Sequence, residues 1–576
     1  MSIKKKKGNI GFRWSIFFIT TVLLTACGDS SDTSSINTDD EANTLSGSVF
    51  ASAITGASCE VRDNFDNVIA GPFSTSENGA YNTTLPADQL TENLVIECSG
   101  GTFTDEATGL TNRTAGFMAA HIAGGTSTAG NVIHITPSST IIHGLITQHS
   151  KTATEATIAF EAAFGFIPDY TTPPTDASAP ENGAEQASLL SGLRAAIFSQ
   201  LASDLGLLST DQFALFSALS TDLADGTLDG NGASGPVSID GTAESLPADI
   251  QNRFTRALIN FRNGRDASGL ANSRIGVLPF AKTAMTDNYK IVYQPGMHTA
   301  VNGKTGFMLK ISDHTDTAQT GLAVSIKPKM NMDSMVHGTA FEETCSETVT
   351  SGEYDCTVYY LMPSIMMSGL SLGFWELKVT VGPLDDEYVV FYPNVTMAMG
   401  DTAQVRLKGR DDIISSSLNH MGDGMGGMTN GTEARTYYLF KKSLTGENGN
   451  HSLELFIAAK ENMMNYPAVS ENITLNSGDL NYELSISTMS VEVSTDTINW
   501  ITASDHGGHG HIGEWVADGI DGLTNGTEST LYVRLTVEGE QKTTDGATPN
   551  VLPVTDDANN HYAKFIVTPG GSGMSM

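Results

Sequence analysis

Gly321-Leu322-Ala323-Val324-Ser325-Ile326 alternates apolar and polar residues and runs on into Met330-Asn331-Met332-Asp333-Ser334-Met335-Val336-His337-Gly338. A period of two is the pattern of a strand with one face in a core and the other in water. Gly306-Phe307-Met308-Leu309-Lys310-Ile311 before it alternates in the same way, as does Gly373-Phe374-Trp375-Glu376-Leu377-Lys378-Val379-Thr380-Val381 after it. Such strands, separated by turn residues, predict a β-sandwich over residues 283–408. The chain as a whole is expected to be mainly β and multidomain, with β-sandwiches flanking an α-helical middle region.

The second half of that stretch also carries chemistry. Met330, Met332, Met335 and His337 place three thioethers and one imidazole within eight residues. Their neighbours are mostly Asn, Asp, Ser and Gly rather than the Leu, Ile and Val that surround core methionines. Soft sulfur beside imidazole suits copper better than other common metals. The competing reading is packing, because methionine fills irregular gaps at the end of a sandwich. Methionine is abundant, at 21 residues, and most lie after residue 280.

The 576 residues predict several domains. A formal charge of −34 argues against nucleic acid and anionic lipid surfaces as partners, since both would be repelled. At the N-terminus, Lys4 to Lys7 and Arg13 precede an apolar run, Trp14 to Leu24, too short to span comfortably as a mature helix. Leu24-Thr25-Ala26-Cys27 resembles the bacterial lipobox. The resemblance implies a signal peptide over residues 1–26, cleavage before Cys27 and lipid attached to its thiol. Gly28 follows, where an aspartate would signal inner-membrane retention. The expected place is therefore the cell envelope, anchored in the outer membrane on its periplasmic or surface face. Residues 27–43, rich in Ser, Asp and Thr, read as a disordered tether.

Four other cysteines remain: Cys59, Cys98, Cys345 and Cys356. An exported chain meets an oxidising compartment, so disulfides are expected. Of three possible pairings, the wide gap between the two groups favours Cys59–Cys98 and Cys345–Cys356. The second pair brackets the turn signal Ser351-Gly352, as a bridge across a hairpin needs. Copper–thiolate ligation competes with this reading.

Residues 44–138 open with Leu45-Ser46-Gly47-Ser48-Val49, then Ser76-Glu77-Asn78-Gly79-Ala80-Tyr81 and Leu94-Val95-Ile96-Glu97-Cys98. The Gly-x-Val strand, Asn-Gly-x-Tyr turn and closing apolar strand resemble the carboxypeptidase regulatory-like domain. That resemblance implies a transthyretin-like sandwich, structural or adhesive, with no active site. Ser99 to Gly109 begins the extension that joins this sandwich to the helical region, and His121, His134, His143 and His149 read as satisfied or half-exposed. Residues 139–265 are expected to be helical. Leu190, Leu193, Ile197, Leu201 and Leu205 mark one helix face; Phe216, Leu219 and Leu223 mark a second, capped at Thr210-Asp211; Ile250, Phe254, Leu258 and Phe261 mark a third. Asp222 to Gly232 lacks the ligand order of a calcium loop and reads as a solvated turn.

A strand ending in a Met-rich turn with His-Gly, followed by Gly-x-Trp-x-Leu-x-Val-x-Val, resembles YtkA-like domains. These are Ig-like sandwiches of exported bacterial proteins, akin to copper-handling modules. The match covers roughly the 283–408 region, although the Cys hairpin is inserted between its two motifs. Beyond a Met/Gly-rich loop at 409–433, a second Ig-like sandwich is expected over 434–570. Asp423-Gly424-Met425-Gly426-Gly427-Met428-Thr429-Asn430-Gly431-Thr432-Glu433 matches Asp518-Gly519-Ile520-Asp521-Gly522-Leu523-Thr524-Asn525-Gly526-Thr527-Glu528 at eight of eleven positions, and both copies run into a strand.

Each copy has candidate ligands beside it: His420 and Met421, with Met425 and Met428, at the first, and His506, His509 and His511 before the second. Imidazoles spaced by glycine can wrap one ion, because glycine permits the turns. Neutral imidazole suits Cu(II), zinc or nickel, while thioether selects Cu(I). Met362, Met366, Met367 and the Met297-His298 pair are possible neighbours of Met330 to His337. No nucleophile elbow, His-Glu-x-x-His or phosphate loop stands out. The expectation is an envelope lipoprotein that binds a metal ion, most readily copper, with zinc or nickel behind it, without catalysis. The alternative is a surface structural or adhesive protein whose loops bind no metal.

Overall fold

The alternation that begins at Val324 folds as a strand, Val324–Asn331, paired antiparallel with Phe374–Val381 from Val324 opposite Val381 to Asn331 opposite Phe374. In this computed structural model, which describes residues 44–86, 93–122, 131–382, 387–416, 431–447, 449–507, 511–546 and 561–570, the strand belongs to a four-stranded sheet. Its order is Val336–His337, Val324–Asn331, Phe374–Val381, Tyr388–Phe391. A six-stranded sheet centred on Gly303–Ser312 and Glu353–Tyr360 shares a core with it. Val324, Ile326 and Met330 point into that core with Leu309, Trp375 and Leu377. Burying each such side chain contributes roughly 1.5–3 kcal/mol.

Both expected disulfides form, with Cα atoms 4.1 Å apart for Cys59–Cys98 and 4.6 Å for Cys345–Cys356. The first joins residues that face each other across paired strands, and the second closes the hairpin around Gly352. Oxidised sulfurs are not thiolate ligands, so the copper–thiolate alternative falls. Two disulfides mark a chain that folds in an oxidising, extracytoplasmic compartment. Among the described residues, no helix is long and apolar enough to cross a membrane. The lipobox Cys27 and the tether lie outside the described residues.

The N-terminal region has a three-stranded sheet (Ala80–Thr84, Thr44–Val49, Val132–Ile135) and a four-stranded one (Val68–Ser74, Ser58–Arg62, Leu94–Ser99, Met118–Ile122). Val132–Ile135 runs parallel to Thr44–Val49 and leads directly into helix Pro137–Thr147. The apolar core crosses this junction without a break, from Ile96 and Ile135 to Ile142, Phe198 and Phe254. The Ser99–Gly109 segment acts as a pin. Asp105 accepts hydrogen bonds from Ser199 and Ser209 of the helical region, the latter at 2.5 Å.

The three helix faces read from spacing lie on Gln186–Asp204, Gln212–Asp222 and Ile250–Gly264. Thr210-Asp211 does not cap the second by a side-chain bond; a short 3₁₀ turn, Ser209–Asp211, leads in instead. The Asp222 loop is not simply solvated. Asp222 is buried and its carboxylate accepts from the backbone N–H of Gly230 at 2.9 Å, closing the loop on itself. Burial pushes this carboxyl up to about 6. His121 and His149 are half-exposed, as expected, whereas His134 and His143 are buried; each of the four keeps one ring nitrogen without a hydrogen-bond partner among the described residues.

The second C-terminal sandwich pairs a five-stranded sheet through Gln404–Ser415, Thr432–Glu447 and Asn450–Ala459 with another through Met489–Ser494 and Ser529–Val537. The two strands that follow the repeated sequence therefore lie in opposite sheets over one core, with Leu439 on one side and Leu531 and Val533 on the other. In the second repeat copy, Asn525 Oδ1 lies 2.8 Å from Nε2 of the buried His451. An aromatic seam joins the two C-terminal sandwiches. Tyr359 stacks on Phe456 with ring centroids 4.0 Å apart, and Ala340, Phe440, Ala458 and Tyr466 are buried with them.

Candidate metal centre

Strand direction gathers methionine at one end of the first C-terminal sandwich. Gly303 lies opposite Tyr360 and Asn331 opposite Phe374, while the Tyr360 and Trp375 rings sit 4.8 Å apart. The loops at 296–302, 332–335, 361–373 and 392–400 therefore leave from the same end. They carry Met297, Met332, Met335, Met362, Met366, Met367, Met397 and Met399, and Met330 ends the adjoining strand. Exposure runs from 0 % at Met330 to 93 % at Met297.

Within this end, the candidates separate. Met330 is sealed in the core, opposite Trp375 on one side and His337 on the other. Met332 packs partly against the same core. Met332 and Met335 bracket a tight turn in which the Met332 N–H donates to the Met335 carbonyl at 2.9 Å. The polar neighbours that mark this stretch in the sequence anchor the turn to the helical region. Asp333 accepts from the Ser273 N–H at 2.7 Å and from its hydroxyl at 2.6 Å, and Asn272 donates to the Met332 carbonyl at 3.0 Å.

The thioether that faces His337 is Met362, with Sδ 3.1 Å from Nε2. The other ring nitrogen, Nδ1, lies 2.7 Å from the Gly338 carbonyl oxygen. A carbonyl only accepts, so Nδ1 carries the proton and Nε2 of the neutral ring holds a lone pair. Burial pushes the imidazole below its ordinary pKa; the Gly338 carbonyl opposes this and Lys460 adds to it. The neutral ring thus aims an unused lone pair at a thioether. Fixing one imidazole nitrogen on a backbone carbonyl is how proteins orient a histidine ligand. Trp375 holds the sulfur's own segment, its Nε1–H donating to the Met362 carbonyl at 3.1 Å, and stands edge-on to the His337 ring at 5.4 Å.

This pair opens into a cleft of about 580 Å³ between the two sandwiches. Met463, Tyr438, Tyr466 and Tyr562 line it together with Arg406, Lys460 and Lys564. Lys460 also pairs with Glu433 at 2.9 Å.

Of the remaining sequence candidates, His506 and His511 are described and neither lines this cleft. His506 donates its N–H to the Glu514 carbonyl at 3.0 Å, and the exposed His511 ring lies 3.5 Å from the Glu514 carboxylate. His509, His420 and Met421, with Met425 and Met428, lie outside the described residues. Among the described residues, no three His, Cys, Asp or Glu side chains converge as a metal-binding group. The sequence does not single out the pairing of His337 with Met362. Its one signal is Met362 itself, at the start of a Met-rich loop.

Neither a protein-family model nor a curated protein matches the chain. Among solved structures, it is similar to the Yersinia pseudotuberculosis adhesin InvE at 13 % identity and a TM-score of 0.14, over 46 % of this chain and 59 % of that one. A marsupial T cell receptor aligns with 47 % of this chain and 99 % of its own, at 10 % identity and a TM-score of 0.11. A glycoside hydrolase family 107 endo-fucoidan hydrolase aligns with 57 % of this chain and 51 % of its own, also at 10 % identity and a TM-score of 0.11. With TM-scores this low, none of these likenesses extends to the chain path as a whole, and none bears on function.

Proposed function

We propose that this chain is an envelope-anchored lipoprotein that binds copper, as Cu(I), at His337 and Met362, and holds or delivers the ion without catalysis. The observation that carries this reading is the His337 Nε2 to Met362 Sδ approach of 3.1 Å, with Nδ1 committed to the Gly338 carbonyl. Thioether and neutral imidazole together are a soft donor set, which favours Cu(I) over zinc or nickel. The methionines around the pair extend the soft surface outward to Met366 and Met367.

The test is a Cu(I) competition titration against a chromophoric chelator. The chain carries His506, His509 and His511 changed to Ala, so that their loop contributes nothing. That protein is expected to retain one tightly bound Cu(I), and His337→Gln in the same background is expected to lose it. Failure of the unmodified cleft to hold Cu(I) against the chelator overturns the reading.

A further inference from the structure

Met463 belongs to the second sandwich, yet it reaches the His337 cleft. The Gly338 N–H donates to the Met463 carbonyl at 2.8 Å, so the residue following His337 is bonded directly to the 461–465 loop. A Cβ at position 338 would stand 2.3 Å from the Met464 carbonyl oxygen, which leaves room only for glycine. On the loop's other side, the Asn462 side chain accepts from the N–H groups of Met464 and Asn465 at 2.8 and 3.0 Å. The loop is therefore held at both ends of its turn. Met463 is half-buried and lines the same cleft as His337 and Met362.

We infer that Met463 is the third ligand of the Cu(I) site, so that the ion sits between one imidazole and two thioethers drawn from both C-terminal sandwiches; this rests on the copper reading above. Three soft or borderline donors and no carboxylate suit Cu(I) and leave a divalent ion under-coordinated. The seam behind the site is set by the Tyr359–Phe456 stack and the buried Ala340, Phe440 and Ala458. Because the ligands come from both sides of that seam, bound Cu(I) clasps the two sandwiches together. Binding to the docked form alone stabilises it by mass action.

The test compares Met463→Leu with Met464→Leu, both conservative in volume, in the full chain lacking the three loop histidines. Cu(I) affinity is read by chelator competition, copper coordination by X-ray absorption, and seam stability by melting with and without Cu(I). Met463→Leu is expected to weaken Cu(I) binding about tenfold, or ~1.4 kcal/mol. It should also reduce the copper–sulfur count from two to one and shrink the Cu(I)-dependent rise in melting temperature. Met464→Leu, whose side chain is exposed, should match the parent. A single sulfur in the parent protein, or unchanged affinity in Met463→Leu, overturns the inference while leaving the His337–Met362 site intact. Absence of Cu(I) binding in the parent overturns both. If Met463→Leu folds poorly, the sulfur count of the parent protein alone decides.

Discussion

The two C-terminal sandwiches bury polar groups in opposite ways. In the second, Arg435 and Lys542 are each 1 % exposed and surround Asp412. Arg435 donates to Asp412 at 2.7 Å and to the Tyr482 carbonyl at 2.8 Å; Lys542 donates to Asp412 at 3.1 Å and to Glu540 at 3.2 Å; the Tyr437 hydroxyl donates to Asp412 at 2.6 Å. Burial would raise the Asp412 carboxyl, but Lys542 and Arg435 hold it below the usual carboxylate range. In the first sandwich, His337 is as thoroughly enclosed but neutral, and its Nε2 faces a sulfur that offers no proton. One cluster has its valency satisfied from within the chain. The other has a lone pair left over. A buried network whose charges all find partners holds a fold together; the copper reading proposed above depends on the lone pair that the other leaves over.

The sharpest way to break this contrast is Asp412→Ala, which leaves the buried Arg435 without its carboxylate and Lys542 with Glu540 alone. Removing one member of a buried charge cluster costs about 3–5 kcal/mol, read as a fall in the denaturant midpoint. A loss below ~1 kcal/mol would mean that the knot is not structural.

An intermediate case lies in the N-terminal region. His143 faces the His121 ring at 5.2 Å and Glu97 at 3.9 Å, and its Nδ1 has no partner among the described residues. Burial, with His121 beside it, pushes its pKa down to about 4. The unfolded chain takes up this proton near 6.5 and the folded chain resists until about 4. Stability is therefore full above pH 6.5 and falls as the pH drops through that window, by up to roughly 3 kcal/mol. His143→Leu should flatten the stability profile between those two pH values; an unchanged profile would assign the acid sensitivity elsewhere.

Smaller effects bear on the soft pair. Met362→Leu should weaken Cu(I) binding about tenfold, ~1.4 kcal/mol, while folding stability changes by less than ~1.5 kcal/mol, as for other volume-conserving swaps. Equal losses of both would make Met362 a packing residue. Smallest of all, His511→Ala removes a ring with 61 % of its side chain exposed, near Glu514. It should leave stability within ~0.5 kcal/mol and Cu(I) bound at the cleft unchanged; a lost copper equivalent would move the site to that loop.

The fold is readable where one face of an element repeats. Alternation from Val324 to Ile326 and from Phe374 to Val381 becomes paired strands, and the leucine and phenylalanine spacings become helices. The same period of two continues to Met330 and places it inward, so its burial is legible in Val324, Ile326 and Met330 together. The polar neighbours mislead because Asn331 to Ser334 make a turn that binds the helical region through Asp333, a contact set by Ser273 sixty positions away. The His337–Met362 approach depends on how the 361–373 loop folds back over Trp375, and no local pattern encodes it. In the sequence Met463 is only one of two methionines between asparagines, with nothing to link it to His337.

The bond between Gly338 and Met463 also fixes an order of events. Its two residues are separated by well over a hundred positions, and the intervening chain builds the rest of one sandwich and the first strands of the next. Contacts this distant in sequence carry a larger loop-closure cost than the local hairpins and sheets that bring them together. During synthesis His337 and Met362 emerge well before Met463. Completion of the cleft thus reports that both sandwiches have folded and docked, and the Cu(I) site proposed above would be complete only at the end of that assembly.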